Sequence, residues 1–194
     1  GVPLFVEELT KTVIEGADVS VSATLQDSLM ARLDRLGSAK EIAQIGACIG
    51  REFSHELLAM VSPLAQSELS EALQQLVHAE LIHRAGSDYI FKHALVQDAA
   101  YDTLLRTRRQ ELHERIGRAI EERLPEIAAA EPEAVYRHFA AAGLIEPALP
   151  YAVKAGQAAM ARGAPESGIN HLLAGLELLE GAPDSAARAA WELD

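Results

Sequence analysis

Leu81–Lys92 is the stretch of this 194-residue chain that reads as β structure, and its position among helical segments restricts the fold more than any other feature. Leu81-Ile82-His83-Arg84 and Tyr89-Ile90-Phe91-Lys92 are short β-prone runs, and Ala85-Gly86-Ser87-Asp88 between them supplies a four-residue polar turn with glycine. The spacing predicts a hairpin. Upstream, Ser38 and Glu41 form the pattern of a capping box, followed by Ile42, Ile45 and Ile49 at helical spacing and by Gly50 as a stop. Ser54 is placed to cap a short helix to about Val61, Pro63 breaks the chain, and Ser67 opens a longer helix carrying Leu69, Leu73, Leu76 and Val77. Three helices running into a hairpin is the order of a winged helix, here over about Ser38 to Lys92. The chain as a whole reads as mainly α.

Other segments carry helical periodicity without β signals. Leu4, Phe5, Leu9, Val13 and Ile14 predict an amphipathic helix over 3–16, and Leu25, Leu29, Met30, Leu33 and Leu36 predict another before Gly37. After the hairpin, His93–Leu105 and Arg106–Leu124 read as helices. The second interleaves Arg106, Arg108, Arg109, Arg115 and Arg118 with Glu111, Glu114, Glu121 and Glu122, the pattern of a solvated, self-paired face. The Ala-rich remainder is expected to form helical hairpins, with breaks at Gly143, Pro147, Gly163-Ala164-Pro165 and Gly181-Ala182-Pro183. Gly156, Gly168, Leu172 and Gly175 match the small-small-large-small contact positions of a tetratricopeptide repeat. A shift of 34 residues back lands on Ala134, His138 and Ala141, where the large position is poorly matched. One repeat is therefore expected over about Leu149–Ala182, preceded by a degenerate one.

Composition narrows function. Seventeen Lys+Arg against 29 Asp+Glu give a formal charge of −12, which repels the phosphate backbone of nucleic acid. The predicted third helix of the winged helix and its end contain Glu68, Glu71 and Glu80 with no lysine or arginine, the reverse of a DNA-reading helix. No apolar run has the length of a membrane span and no leader pattern is visible, so a cytoplasmic, non-membrane protein is expected. The single cysteine, Cys48, sits in an Ala/Ile-rich helical pattern and reads as a small buried thiol. His55, His78, His83, His113, His138 and His171 show no metal-ligand spacing and read as surface or boundary residues, so no metal site is expected. Adjacent carboxylates such as Glu7-Glu8 point in different directions on a helix and make no acid/base dyad, and no serine has a nucleophile-elbow context. The expectation is a chain with no catalytic residues.

The order of parts resembles the C-terminal portion of STAND ATPases, the signal-transduction ATPases with numerous domains. GVPLFVEEL resembles the GxP segment that opens the helical lid after their nucleotide-binding core, and FKHALVQDAAY resembles the MHD-type motif that closes their winged helix. LQDSLMARLDRL, IGREF and FKHALVQDAAY are also similar to strings in bacterial STAND modules downstream of class III adenylate/guanylate cyclase domains and in large transcription regulators. The resemblance implies three parts: a helical lid segment over 1–37, a winged helix over 38–105, and a helical linker with repeats over 106–194. It implies that Pro3 packs against adenine and that His93 reaches the β-phosphate of bound ADP, with Asp98 matching the later acid of the motif. Lys92 stands where methionine is usual and Ala94 replaces the aspartate. Lys92 would bring positive charge toward the phosphates.

By the same resemblance, ATP or ADP with magnesium belongs to the full-length protein. The partners are then the nucleotide-binding core and effector domain of the same polypeptide, and a protein or small-molecule signal at the repeats. The opening GVPLFVEELT and closing AARAAWELD read as interiors of longer helices, the expectation for an excised piece. No G-x-x-x-x-G-K-[ST] occurs, so this chain alone is expected neither to hydrolyse ATP nor to hold it. On residues alone, a histidine at a strand-to-helix junction suits helix capping as well as phosphate contact. The alternative functions are a protein-interaction scaffold without nucleotide sensing and a DNA-binding winged helix.

Overall fold

A computed structural model describes residues 28–180; Pro3 and the helix expected over 3–16 lie outside the described residues, as does the segment from Gly181 onwards. The described chain is mainly α, with one small antiparallel sheet. Residues 28–34 are helical. There follow α1 (Ser38–Ile49), β1 (Glu52–Ser54), α2 (His55–Val61), α3 (Gln66–His78), β2 (Ile82–Ala85), β3 (Asp88–Phe91) and α4 (Ala94–Asp102). The remaining helices are α5 (Arg106–Arg123), α6 (Pro125–Ala130), α7 (Pro132–Ala142), α8 (Ile145–Ala161) and α9 (Pro165–Glu180). Contacts divide the chain into two compact units, one running to Ser54 and including Leu64–Leu104, the other made of His55–Pro63 and the residues from Leu105 onwards. The short helix α2, placed by the sequence within 38–105, thus contacts α5 in the second unit.

In the first unit the predicted hairpin forms with β2 and β3 paired Ile82 to Phe91 through Ala85 to Asp88, and Gly86 takes φ +67 in its turn. A third strand was not foreseen. β1 pairs antiparallel with β3 at Glu52–Ile90, Phe53–Tyr89 and Ser54–Asp88, which makes β3 the central strand. Three residues are too few to show an alternating pattern, so this strand is defined by its partner. Phe53 is what it contributes to the core: its ring centroid lies 5.4 Å from Phe91 and 6.0 Å from Tyr89. A Cβ on Gly46 of α1 would lie 2.9 Å from Phe53 Cζ, so glycine lets the helix close over the ring. Ile42, Ile45, Leu69, Leu73, Leu76, Leu81 and Ile82 complete this core, each at most 1% exposed.

Helix starts differ from expectation in their chemistry more than in their position. The Ser38–Glu41 capping box does not form: Gly37 is the cap residue and no side chain bonds to the helix N-terminus. The Ala39 and Lys40 amides instead donate to the carbonyls of Leu36 and Gly37 in a tight entry turn, so those donors are already satisfied. In α3 the cap is Ala65, whose amide donates to Glu68 Oε2 at 3.1 Å. Pro147 does not break the chain. It sits in the first turn of α8, where its missing N–H would have had no intrahelical partner.

The second unit is built by small residues on facing helices. Added Cβ atoms would lie 2.9 Å from Leu172 Cγ at Gly156, 2.8 Å from Met160 Cγ at Gly168 and 3.0 Å from Ala152 Cβ at Gly175. The pairings 160–168, 156–172 and 152–175 run in opposite directions along the two helices, so α8 and α9 form an antiparallel hairpin sealed at the positions the repeat pattern predicts. Gly163, at φ +76, makes the turn and Pro165 begins α9. The same device recurs earlier, where a Cβ on Gly117 of α5 would meet Phe139 of α7 at 2.9 Å. The Arg/Glu face of α5 is self-paired in part, through Arg108–Glu111 at 3.0 Å and Arg118–Glu114 at 3.5 Å. Arg115 additionally donates to the Val61 carbonyl of α2.

Candidate functional site

His93 follows β3 directly and occupies the N-cap position of α4, with extended backbone at φ −137 and ψ 144. Its side chain is exposed and makes no capping hydrogen bond to the helix. The α4 start is instead held by backbone, with Val96 N donating to His93 O at 3.1 Å, and by the burial of Val96, Ala99 and Ala100. Two polar links fix α4 on α1: Gln97 Nε2 donates to Ala47 O at 3.3 Å and Gln44 Nε2 to Thr103 Oγ1 at 2.8 Å. Asp98 is exposed as well. Five positions along the helix from His93, it points to a different side. Pro3 lies outside the described residues, so the two residues implicated by the resemblance are not seen together.

Lys92 is engaged elsewhere than the sequence suggested. Its Nζ lies 3.0 Å from Glu80 Oε2, so its charge is neutralised by a carboxylate of the same unit. The hydrogen bond from Lys92, reinforced by its charge, lowers the Glu80 carboxyl below the ordinary carboxylate range. The contribution of this exposed pair is therefore present at neutral pH and fades as pH falls through that range. Glu80 also holds φ +59, a left-handed conformation unusual for a residue with a Cβ. We expect Glu80→Gly to relieve the backbone and to melt a few degrees above Glu80→Val, which loses the same ion pair and keeps a branched Cβ in the left-handed region. Thermal denaturation of the two variants checks this.

The outer face of α3 presents Glu68, Glu71, Gln74, Gln75 and His78, all exposed, and no lysine or arginine. A shallow depression of about 650 Å³ beside it is lined by Leu36, Glu71, Gln74, Gln75, His78 and Ala79. Nothing in that set would neutralise a phosphate backbone.

The second unit holds a polar feature that sequence reasoning misplaced. His113 of α5 and His138 of α7 are buried, at 5% and 1% exposure, with their Nδ1 atoms 2.9 Å apart. They are not surface residues. Two Nδ1 atoms at that distance share one proton, so one ring carries hydrogen on Nδ1 and the other on Nε2. Burial, followed by the charges of Arg137 and Arg109, pushes His113 down to about 4. Burial, followed by Arg137 and then His113, pushes His138 down to about 3. Both are neutral at pH 7. The pattern did contain a signal: His113 shares helical spacing with Ile116 and Ile120, and His138 stands where the repeat wants a large core residue.

A groove of about 600 Å³ also lies within the second unit, walled by Pro125 and Ala128 on one side and Ala158 and Ala161 on the other. At its polar end Tyr151 Oη donates to Glu121 Oε1 at 3.1 Å, and the Lys154 ammonium sits 4.6 Å from the centre of the Tyr151 ring. Burial, with the nearby Glu121 carboxylate, raises the Tyr151 phenol above its ordinary value. Lys154 and Gln157 bring one ammonium and one amide to the groove, beside the Glu121 carboxylate. Among the described residues no group of three or more His, Cys, Asp or Glu side chains comes together as a metal site, and no helix is long and apolar enough to cross a membrane. Cys48 is buried.

The chain is 31% identical over 180 residues to a protein of Rhizobium meliloti (strain 1021) named Uncharacterized protein R02095. No protein-family profile and no solved structure matches it. The match takes in 84% of this chain and 18% of the relative, so the chain spans less than a fifth of the length of the protein it is similar to.

Proposed function

We propose that this chain is a non-catalytic regulatory segment of a cytoplasmic, multidomain signal-transduction ATPase of the STAND type, in which the winged helix senses ADP or ATP held by a separate core and the helical repeats receive a signal. The observation that carries the reading is the position of His93. It stands on the surface at the junction of the central wing strand and α4, inside the FKHALVQDAAY string. An imidazole so placed can donate a hydrogen bond to a phosphate presented by another domain. The size of the relative, most of which lies outside the match, is in keeping with a segment of a larger protein. An associated nucleotide cyclase is the effector that the sequence resemblance favours.

In such a switch the nucleotide selects one domain arrangement by contacts that the other lacks, so loss of a contact made only with ADP weakens the ADP-bound arrangement. Lys92 is paired with Glu80 in this fold, and the reading assigns it no contact with the nucleotide. The expected result is that His93→Ala in the full-length protein speeds release of a fluorescent ADP analogue about tenfold, the effect of losing one hydrogen bond to a charged group. Unchanged release would sink the nucleotide-sensing role and leave the scaffold reading. An acidic α3 surface argues against the DNA-binding alternative, which requires salt-sensitive binding to duplex DNA.

A further inference from the structure

The α8/α9 hairpin carries an apolar strip along one flank. α8 meets α7 through Tyr151, whose ring centroid lies 6.1 Å from that of Phe139. It meets α9 where Met160, Gly156 and Ala152 stand against Gly168, Leu172 and Gly175. At about 100° per residue, Val153 and Met160 lie roughly 200° and 180° around α8 from Tyr151, so they project away from α7. They also stand about 40–60° around α8 from Gly156, in the same sense in which Ile169, Leu173 and Leu176 stand about 40–100° around α9 from Leu172. In an antiparallel pair equal senses lead to the same side of the seam. The five side chains are 38% to 56% exposed. By the seam contacts, Met160 falls beside Ile169 and Val153 beside Leu176, with Leu173 between, in a strip about two turns long.

Carboxylates frame this strip. Glu146 stands seven residues before Val153, Glu166 three before Ile169 and Glu180 four after Leu176, all spacings that share a helix face. The three are exposed and, among the described residues, none is paired with a lysine or arginine. α9 contains no lysine or arginine, and the one cation of α8, Lys154, sits 4.6 Å from the centre of the Tyr151 ring, beside the groove. We propose that the strip is a docking surface for an amphipathic helix of another protein, one with large apolar side chains on a face edged by lysine or arginine. The two-turn strip suits anchors at i, i+3 or i+4, and i+7. Its unpaired carboxylates favour a cationic partner, whereas a second copy would bring the same carboxylates to the contact. The docking deepens the regulatory reading by naming a partner for the repeats, and it is measured without nucleotide, so each can fail alone.

Fluorescence anisotropy on the 194-residue chain tests it, the probe being a labelled peptide of about 18 leucines and lysines with leucine at helical spacing. Micromolar binding is expected, and the peptide with glutamate in place of lysine should bind at least about tenfold more weakly. Leu173→Ala/Leu176→Ala should weaken the lysine peptide at least about tenfold. At low salt Glu146→Gln/Glu166→Gln/Glu180→Gln should weaken it about tenfold. Glu71→Gln/Glu122→Gln/Glu126→Gln makes the same charge change on exposed carboxylates elsewhere and should stay within about twofold. Every altered side chain is exposed, so helical circular dichroism should match that of the unaltered chain. Absence of binding, or binding that survives Leu173→Ala/Leu176→Ala, would overturn the proposal. Equal losses from the two triple variants would do the same, since general attraction to a chain of charge −12 gives that result. So would a chain that dimerises in sedimentation velocity and returns to monomer with Leu173→Ala/Leu176→Ala.

Discussion

Between pH 7 and pH 5 the second unit is expected to lose stability, by up to about 4 kcal/mol, before most carboxylates begin to titrate. The cause is the His113–His138 pair. In the unfolded chain each imidazole has its ordinary value near ~6.5, whereas burial holds them at about 4 and about 3 in the fold. Below pH ~6.5 the unfolded state takes up protons that the folded state refuses, so the pair's contribution is fully present above that value and drains away as pH falls. One unit of pH is worth about 1.4 kcal/mol per group, giving about 2 kcal/mol each by pH 5 as an upper estimate. Urea unfolding at a series of pH values, followed by helical circular dichroism, measures the slope. The double variant His113→Leu/His138→Leu should flatten it, because both polar partners leave together, while either single replacement should cost about 1–3 kcal/mol at pH 7 by stranding one buried nitrogen. A slope unchanged in the double variant would mean that other groups set the acid sensitivity.

Gly156→Leu is expected to detach α9 from α8, at a cost of about 3 kcal/mol or more. A bare Cβ at this position already comes within 2.9 Å of Leu172 Cγ and 3.2 Å of the Gly168 carbonyl, and the backbone oxygen cannot rotate aside. Helix axes separate according to the side chains at their closest point, so a leucine forces the pair apart along its whole length. Gly163→Ala is the control. Nothing lies within 4 Å of its added Cβ, so only the left-handed φ of +76 resists it, at roughly 1–2 kcal/mol. Limited proteolysis should cut the Gly156→Leu chain within α9 and spare that helix in Gly163→Ala.

What could be read from residues and what could not divides along physical lines. The hairpin and the Gly156/Gly168/Gly175 seam were legible because each is specified by local residue type: β-prone runs around a glycine turn in one case, the absence of side chains at fixed helical spacing in the other. β1 was not, because three residues in a ladder take their structure from β3. The start of α1 escaped for a related reason: a serine and a glutamate in capping-box spacing were outcompeted by backbone carbonyls already folded beneath the helix. The histidine pair needed knowledge that α5 and α7 face each other, a long-range fact that only the mismatch at His138 hinted at. Of the candidate site, the residue pattern supplied a histidine at a strand-to-helix junction, and the fold adds that it is exposed and not spent on capping. Its proposed chemistry rests on the resemblance, since no spacing within the chain specifies a phosphate.

The central place of β3 has a mechanical corollary. Its last residue, Phe91, donates its amide to the Arg51 carbonyl just beyond α1, and the next, Lys92, donates to Leu81 at the head of β2. Anything that tugged on the imidazole at position 93 would therefore load two neighbouring segments at once, with little slack to absorb the displacement. A displacement there would be felt, through those two hydrogen bonds, both at the residue that follows α1 and at the head of β2.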